Sequence, residues 1–267
     1  MSATVQDILN IIETLAPANL AEPWDNVGLM IGSPAGPVTS ILLGLDPTAA
    51  LLDEAGSLNA DLAITHHPVI FHPLKSISLN QPDGRFIQQA LIRKINVISC
   101  HTNLDSTVNG VSDTLAGQLG LDDVTVLVAG GKTDKTCGLG RIGDYSAPIS
   151  AAEFVRRLKE TCHPPWLLTA GPRPEKISRV AVCGGSCSEY AEIALQSGAQ
   201  VFVTAEVKHN VARWAEQTGL WIIDAGHYAT ENPAMHQFAR RLARAAKPLG
   251  HIDIHVTERQ ASPLQLL

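Results

Sequence analysis

At 267 residues, with 45% hydrophobic and 17% charged side chains, the chain can form one large domain or two ordinary ones around a well-filled aliphatic core, which excludes a disordered class. A formal net charge of −6 withholds the broad basic surface that non-specific nucleic-acid binding requires. The five cysteines are scattered, Met1 to Glu13 carries acids where a secretory leader carries bases, and no apolar run approaches the ~18 residues of a membrane helix. These features predict a reduced, cytoplasmic protein with free thiols and no membrane partner.

Val5, Ile8, Leu9, Ile12 and Leu15 recur at spacings of three and four, which predicts an amphipathic helix over Ser2–Thr14 behind a Ser2 or Thr4 cap and ahead of Pro17. A turn-rich loop from Ala21 to Gly28 carries Trp24, which suits a loop folded back on the body of the protein. Strands are expected at Ser40–Leu45, Asp61–Thr65 and Asn96–Ser99, with helices at Pro47–Leu58 (opened by Asp46) and Arg85–Lys94 between them. From about Val124 to Lys176 the chain is punctuated by glycine and proline and holds one clear helix, Ala151–Glu160, behind a Ser150/Glu153 capping box. Alternation then resumes. Strands are expected at Arg179–Cys183, Gln200–Thr204, Leu220–Asp224 and His251–Thr257, and helices at Ser188–Ser197, Val211–Thr218 and Pro233–Ala246.

This order predicts an α/β fold of two related domains with largely parallel sheets. The first domain takes residues 1–126 plus 225–267, and a smaller one takes 127–224. The two halves read as one repeated βαβαβ unit. Its third strand ends in His101-x-x-x-Asp105 in the first half and His227-x-x-x-Glu231 in the second.

Working residues in open α/β sheets lie just past the carboxyl ends of strands. Three strands here end in metal-ligand types: His66-His67, His101 with Asp105, and His227 with Glu231. Imidazole and carboxylate without thiolate suit Zn, Mn, Fe, Ni or Co. Adjacent histidines on an extended chain point to opposite sides. A bend at Pro68 would let the pair contact two neighbouring ions, about 3.5–4 Å apart and bridged by Asp105 or Glu231. His163, His209, His236, His251 and His255 have no second ligand type beside them at a strand terminus and are read as structural. Glu206 ends the strand that corresponds to the one before His66; it lines the cleft or is a solvated strand end.

Gly138-Leu-Gly-Arg-Ile-Gly143 satisfies G-x-G-x-x-G, but Asp-Tyr-Ser-Ala-Pro148 follows where a dinucleotide site needs a helix, so the segment reads as a strand. Cys183 and Cys187 flank a strand-to-helix turn, where a helix N-terminus could lower a thiol pKa; they are read as small turn residues, with redox use the lesser alternative.

Five segments, Trp24–Leu29, Ile64–Pro68, His101–Asp105, Gly138–Gly143 and Gly226–Glu231, resemble in order those of the NIF-three-like family, whose members are described as dinuclear metal centre proteins or GTP cyclohydrolase 1 type 2 homologues. The resemblance implies metal ligands at His66, His67, Asp105, His227 and Glu231, two divalent ions per chain, a site-lining or acid–base role for His101, and a ring-shaped homohexamer. The activity it implies is metal-dependent hydrolysis of the guanine ring of GTP. Residue chemistry alone reaches metal-assisted hydrolysis and leaves three classes open: that cyclohydrolase, a phosphoesterase or nucleotide hydrolase, and a non-catalytic metal-binding scaffold. A triphosphate would need cations at the cleft; Lys75, Arg85, Lys132, Lys135 and Arg141 are loose candidates.

Overall fold

The computed structural model describes residues 3–130 and 135–267. In chain order the elements are β1 (Ala3–Thr4), α1 (Val5–Leu15), β2 (Gly28–Ile31), β3 (Pro37–Val38), β4 (Ser40–Gly44), α2 (Ala49–Ser57), β5 (Leu62–Thr65), α3 (Pro82–Ile92), β6 (Asn96–Ser99), α4 (Thr102–Ser106) and α5 (Val111–Gln118). They continue with β7 (Asp122–Ala129), β8 (Gly138–Ser150), α6 (Ala151–Cys162), β9 (Leu168–Ala170), β10 (Lys176–Ser186), α7 (Ala191–Gln196), β11 (Val201–Ala205), α8 (His209–Thr218), β12 (Trp221–Asp224), α9 (His227–Ala246) and β13 (Asp253–Val256). Among the described residues, no helix is long and apolar enough to cross a membrane.

The chain divides into two compact units, Met1–Leu104 with Met235–Gln260 and Asp105–Ala234 with Ala261–Leu267. The composition-based boundaries fall instead near residues 126 and 224. The difference arises in segments that composition reads poorly. Leu115, Ala116 and Leu119 of the short helix α5, with Leu121 after it, pack into the core of the second unit against Val180, Val182 and Phe154.

The first unit carries a five-stranded sheet in the order β13-β4-β5-β6-β2. The β13–β4, β4–β5 and β5–β6 ladders are parallel, and β2 closes the edge antiparallel to β6. Burial on both faces explains the unbroken apolar runs of the central strands: Leu42, Ala63 and Val97 pack with Leu51, Leu52, Phe86 and Ile87 of α2 and α3, while Ile41, Leu43, Leu62, Ile64 and Ile98 are buried as well. Two helix starts were assigned by different means. Thr4 and Asp7 form a reciprocal capping box at α1, whereas Ser2, the alternative cap, lies outside the described residues. Helix α2 is capped by Thr48, not by Asp46, because the Asp46 carboxylate is occupied by His67.

The second unit carries a six-stranded sheet in the order β7-β8-β10-β11-β12-β9. Only its repeat core is parallel, β10–β11–β12; the Gly- and Pro-punctuated region supplies antiparallel strands on both flanks, β7–β8 against β10 and β9 against β12. Alternate residues of the core strands face opposite sides. Val180, Val182, Val201, Val203 and Ile223 meet α5 and α6 on one side, and Ala181, Phe202 and Ile222 meet α7 and Trp214 of α8 on the other. The repeat predicted from sequence is therefore a repeat of topology: β4-α2-β5-α3-β6 and β10-α7-β11-α8-β12 each lay three parallel strands side by side in chain order.

The G-x-G-x-x-G segment opens β8, as expected of a strand, and its arginine is structural. Arg141 is 2% exposed and uses all five of its N–H groups. Nε and Nη2 donate to the two oxygens of Asp113 at 2.6 and 2.8 Å, Nη1 to the carbonyls of Gly138 and Gly140, and Nη2 again to the carbonyl of Thr107. It has no donor left for a substrate phosphate, which removes it from the loose cation set. Removing one partner of a buried, hydrogen-bonded ion pair costs about 3–5 kcal/mol. Arg141→Met should lower the free energy of unfolding by that order, read as a shift of the urea midpoint.

Candidate metal centre

In the first unit, the parallel ladder carries two histidines past the end of β5. The amide of His66 donates to the carbonyl of Gly44 and that of His67 to Leu45. The chain bends at these residues, directly after Thr65. The Thr65 hydroxyl donates to the His67 carbonyl at 2.7 Å and the Ser99 hydroxyl to that of His66 at 3.0 Å. The bend overcomes the opposite pointing expected of adjacent strand residues, so the two rings lie 5.0 Å apart. His101, just past β6, places its ring 5.2 Å from His66 and 5.6 Å from His67. One ligand atom from each of the three lies within 4.8 Å of the others.

Each of these imidazoles is held at Nδ1. His66 Nδ1 donates to the carbonyl of Cys100 at 2.8 Å, His67 Nδ1 to Asp46 Oδ1 at 2.7 Å, and His101 Nδ1 to Asp25 Oδ1 at 2.8 Å. A neutral imidazole with its proton on Nδ1 carries its lone pair on Nε2, the form that binds a cation, and a carboxylate behind the ring raises its basicity. Asp25 is itself fixed by the Thr102 hydroxyl at 2.5 Å and the Thr102 amide at 3.0 Å. Burial opposes its charge, but the hydrogen bonds from His101 and Thr102 and the electrostatic pull of His101 prevail, and the carboxyl is lowered to about 2.

The second unit supplies Asp105, His227 and Glu231. Asp105 lies in α4 and Glu231 in the opening turns of α9, so neither sits in a loop as the strand-end reading implied. Helix α9 begins at His227 and runs through Pro233, six residues earlier than the proline suggested, which places His227 and Glu231 one turn apart on one face. His227 Nε2 lies 3.1 Å from Glu231 Oε2, and His227 Nδ1 donates to Glu206 Oε1 at 2.9 Å. Glu206, which sequence left as cleft-lining or solvated, is thus the residue that orients His227. It adopts a left-handed φ of 55°. Asp105 and Glu231 offer oxygens within 4.8 Å of one another, and Glu231 is 3% exposed. Gly185, at φ +73°, sits so close to Glu231 Oε1 that any β-carbon there would collide with the carboxylate. Its amide donates to Thr230 Oγ1 at 3.0 Å.

These two groups of donors fit divalent cations on chemical grounds. Two carboxylates this close repel one another, and a cation between them would relieve that repulsion; His227 has a carboxylate at each ring nitrogen. The set is oxygen and nitrogen only, as expected for Zn, Fe, Mn, Ni or Co. The cysteines stand apart from this chemistry. The Cys187 thiol is pushed up by its hydrogen bond with Cys183 and by burial, and donates to the Gly184 carbonyl at 3.3 Å. Redox activation would need the opposite shift. Among the described residues, His163, His209, His236, His251 and His255 join no such group. Arg85, Lys75 and Lys135 are exposed, and Lys132 lies outside the described residues. The supports Asp25, Asp46 and Glu206 were not singled out from sequence as holding a ring, although Asp46 carried a signal, a carboxylate directly after an apolar strand.

The family profile described as Duf34/NIF3 (NGG1p interacting factor 3) matches residues 3–263. The chain belongs to the Duf34/NIF3 family. Among its relatives, a Clostridium acetobutylicum protein named GTP cyclohydrolase 1 type 2 homolog is 33% identical over 264 residues, covering 98% of each chain. The Clostridium perfringens protein of the same name is 33% identical over 238 residues, 89% of this chain and 90% of its own. Of solved structures, the Staphylococcus aureus hypothetical protein SA1388 superposes with a TM-score of 0.94 at 27% identity, covering all of both chains. A Bacillus cereus protein related to NIF3 gives 0.92 at 24% identity, also covering both chains, and supports the fold alone.

A carboxyl held below its ordinary 3.8 contributes stability that is complete above that value and lost as pH falls through the folded value. For Asp25 the contribution is roughly 2 kcal/mol, and it should disappear between about pH 4 and pH 2. Asp25→Asn in this Duf34/NIF3 chain should flatten that part of the stability–pH curve, measured by thermal unfolding across the range.

Proposed function

We propose that His66, His67, Asp105, His227 and Glu231 together hold two divalent metal ions and that the protein is a metal-dependent hydrolase of the GTP cyclohydrolase 1 type 2 kind. The observation that carries the metal reading is the fixing of Nδ1 on His66, His67 and His227 by a carbonyl or carboxylate, which presents Nε2 for coordination. One donor group is all imidazole and the other mainly carboxylate, and together they would offer two ions both nitrogen and oxygen donors.

When bound, such cations supply Lewis acidity and lower the pKa of water towards neutrality. The chain's own part is orientation and proton transfer. His101, backed by Asp25 at 2.8 Å, keeps its Nδ1 proton and can take or give a proton at Nε2. In the reaction implied, one water adds to C8 of the guanine ring and opens the imidazole ring to a formamide, a second water releases formate from it, and the freed amine condenses with the rearranged sugar carbonyl, expelling one water as the triphosphate closes towards a dihydropterin. The names of the relatives support the guanine substrate. All five cysteines carry free thiols, which supports a reducing, cytoplasmic setting. A ring-shaped homohexamer belongs to the same proposal.

Asp105→Ala and Glu231→Ala should each lose at least one bound ion per chain while keeping the native circular dichroism spectrum. Elemental analysis of the purified variants checks this, and unchanged metal content would defeat the ligand assignment. Incubation of the metal-loaded protein with GTP should yield formate and a fluorescent pterin, and His101→Ala should reduce that yield at least a hundredfold with metal retained. Release of phosphate in place of formate would point to a phosphoesterase, and inertness on a nucleotide panel to a scaffold.

A further inference from the structure

Two exposed aromatic rings border the histidine group of the first unit. Trp24 is 56% exposed and Phe71 38% exposed. Their centroids lie 5.7 Å apart with planes tilted by 53°, and each meets the His101 ring edge-on at 6.1 Å. Exposed aromatics on loops ordinarily cost conformational freedom and gain little. These two are nonetheless held in place by their neighbours. Asp25, next to Trp24, is bound to His101 and Thr102, and Asn26 donates from Nδ2 to the carbonyl of Ile70, next to Phe71, at 2.5 Å. One contact therefore ties the two loops together, and the other ties the Trp24 loop to the proposed proton-transfer residue. The backbone is pinned while more than half of Trp24 and over a third of Phe71 stay open to solvent, the Phe71 ring being met by the His72 ring at 4.6 Å.

We infer that Trp24 and Phe71 form a stacking platform that selects a flat heteroaromatic ring and delivers it to His101. Every nucleobase presents a π-face, and stacking on a protein aromatic is worth about a 5- to 150-fold change in affinity per base, from the ~1–3 kcal/mol seen on truncation. A ring lying on Trp24 at van der Waals distance is within reach of His101 because the two side chains already touch. The 53° tilt leaves the two rings as walls of a wedge, not as a closed pair. The inference deepens the metal-hydrolase reading and rests on it for the identity of the site, but it names a ring-shaped substrate from the geometry of this chain alone. Trp24 and Phe71 are thereby specificity-determining, and Asp25 and Asn26 position the loops.

The test uses the full-length, metal-loaded protein and two neutral or anionic probes, guanosine and ribose 5-phosphate, titrated calorimetrically. Guanosine should bind; Trp24→Leu and Phe71→Leu should each weaken it about tenfold or more, with metal content and circular dichroism unchanged. Trp24→Phe should retain most of the affinity, because a π-face remains. Ribose 5-phosphate should bind equally to all of them. Guanosine affinity insensitive to both leucine substitutions would overturn the platform, as would tight ribose 5-phosphate binding that the same substitutions abolish, or a change of oligomeric state as their only effect. Glu231→Gln separates the two readings: loss of metal with guanosine still bound supports the platform independently of the metal centre, whereas metal retained in Glu231→Gln with stacking lost in Trp24→Leu counts against the ligand set and for the platform.

Discussion

Four imidazole rings, three in the first unit and one in the second and each anchored through Nδ1, are the constraint on which both donor groups depend. A histidine at a strand end can rotate about two side-chain bonds, and a freely rotating ring is a poor ligand. Here the Cys100 carbonyl, Asp46, Asp25 and Glu206 each accept the Nδ1 proton of one ring, so tautomer and orientation are settled together. The anchoring groups are in turn held by the sheet. Cys100 follows β6, Asp46 follows β4 and Glu206 follows β11, so the ends of strands beside those that carry the histidines supply three of the four anchors, and the loop before β2 supplies Asp25.

The repeated βαβαβ unit explains why the supports recur. In the first unit, the end of β5 provides His66 and His67; in the second, the corresponding end of β11 provides Glu206. The third strand of each unit leads into a helix carrying a carboxylate four residues beyond a histidine, Asp105 after His101 and Glu231 after His227. The same topology has therefore placed a histidine and a carboxylate at equivalent positions after the third strands, but histidines after β5 and a ring-orienting carboxylate after β11. One unit is rich in nitrogen and the other in oxygen. Close backbone approach completes the second group: at Gly185 the absence of a side chain is what allows the Glu231 carboxylate to occupy its place.

Much of the architecture was legible in the chain because its signals are local. Apolar runs of four to six residues, separated by amphipathic stretches, marked β4, β5, β6, β10, β11 and β12 to within a few residues. The elements that were not foreseen lack such signals. Helix α5 is short and weakly amphipathic, β7 follows it with mixed burial, and β2 and β9 are brief edge strands stabilised by pairing and not by pattern. Asp46 illustrates the limit well. As a carboxylate before a helix it has the form of a cap, yet the structure gives that task to Thr48 and turns Asp46 towards a ring twenty-one residues away.

The sequence by itself determined the fold class, the repeat and the residue types that could bind a cation, since hydrophobic periodicity and ligand chemistry are written along the chain. Only the tertiary structure decided which nitrogen each histidine presents, that Arg141 is spent inside the protein, and that Trp24 and Phe71 stand beside His101. Those outcomes depend on hydrogen bonds and ring contacts between segments far apart in the chain, and no local pattern encodes the partner at the other end.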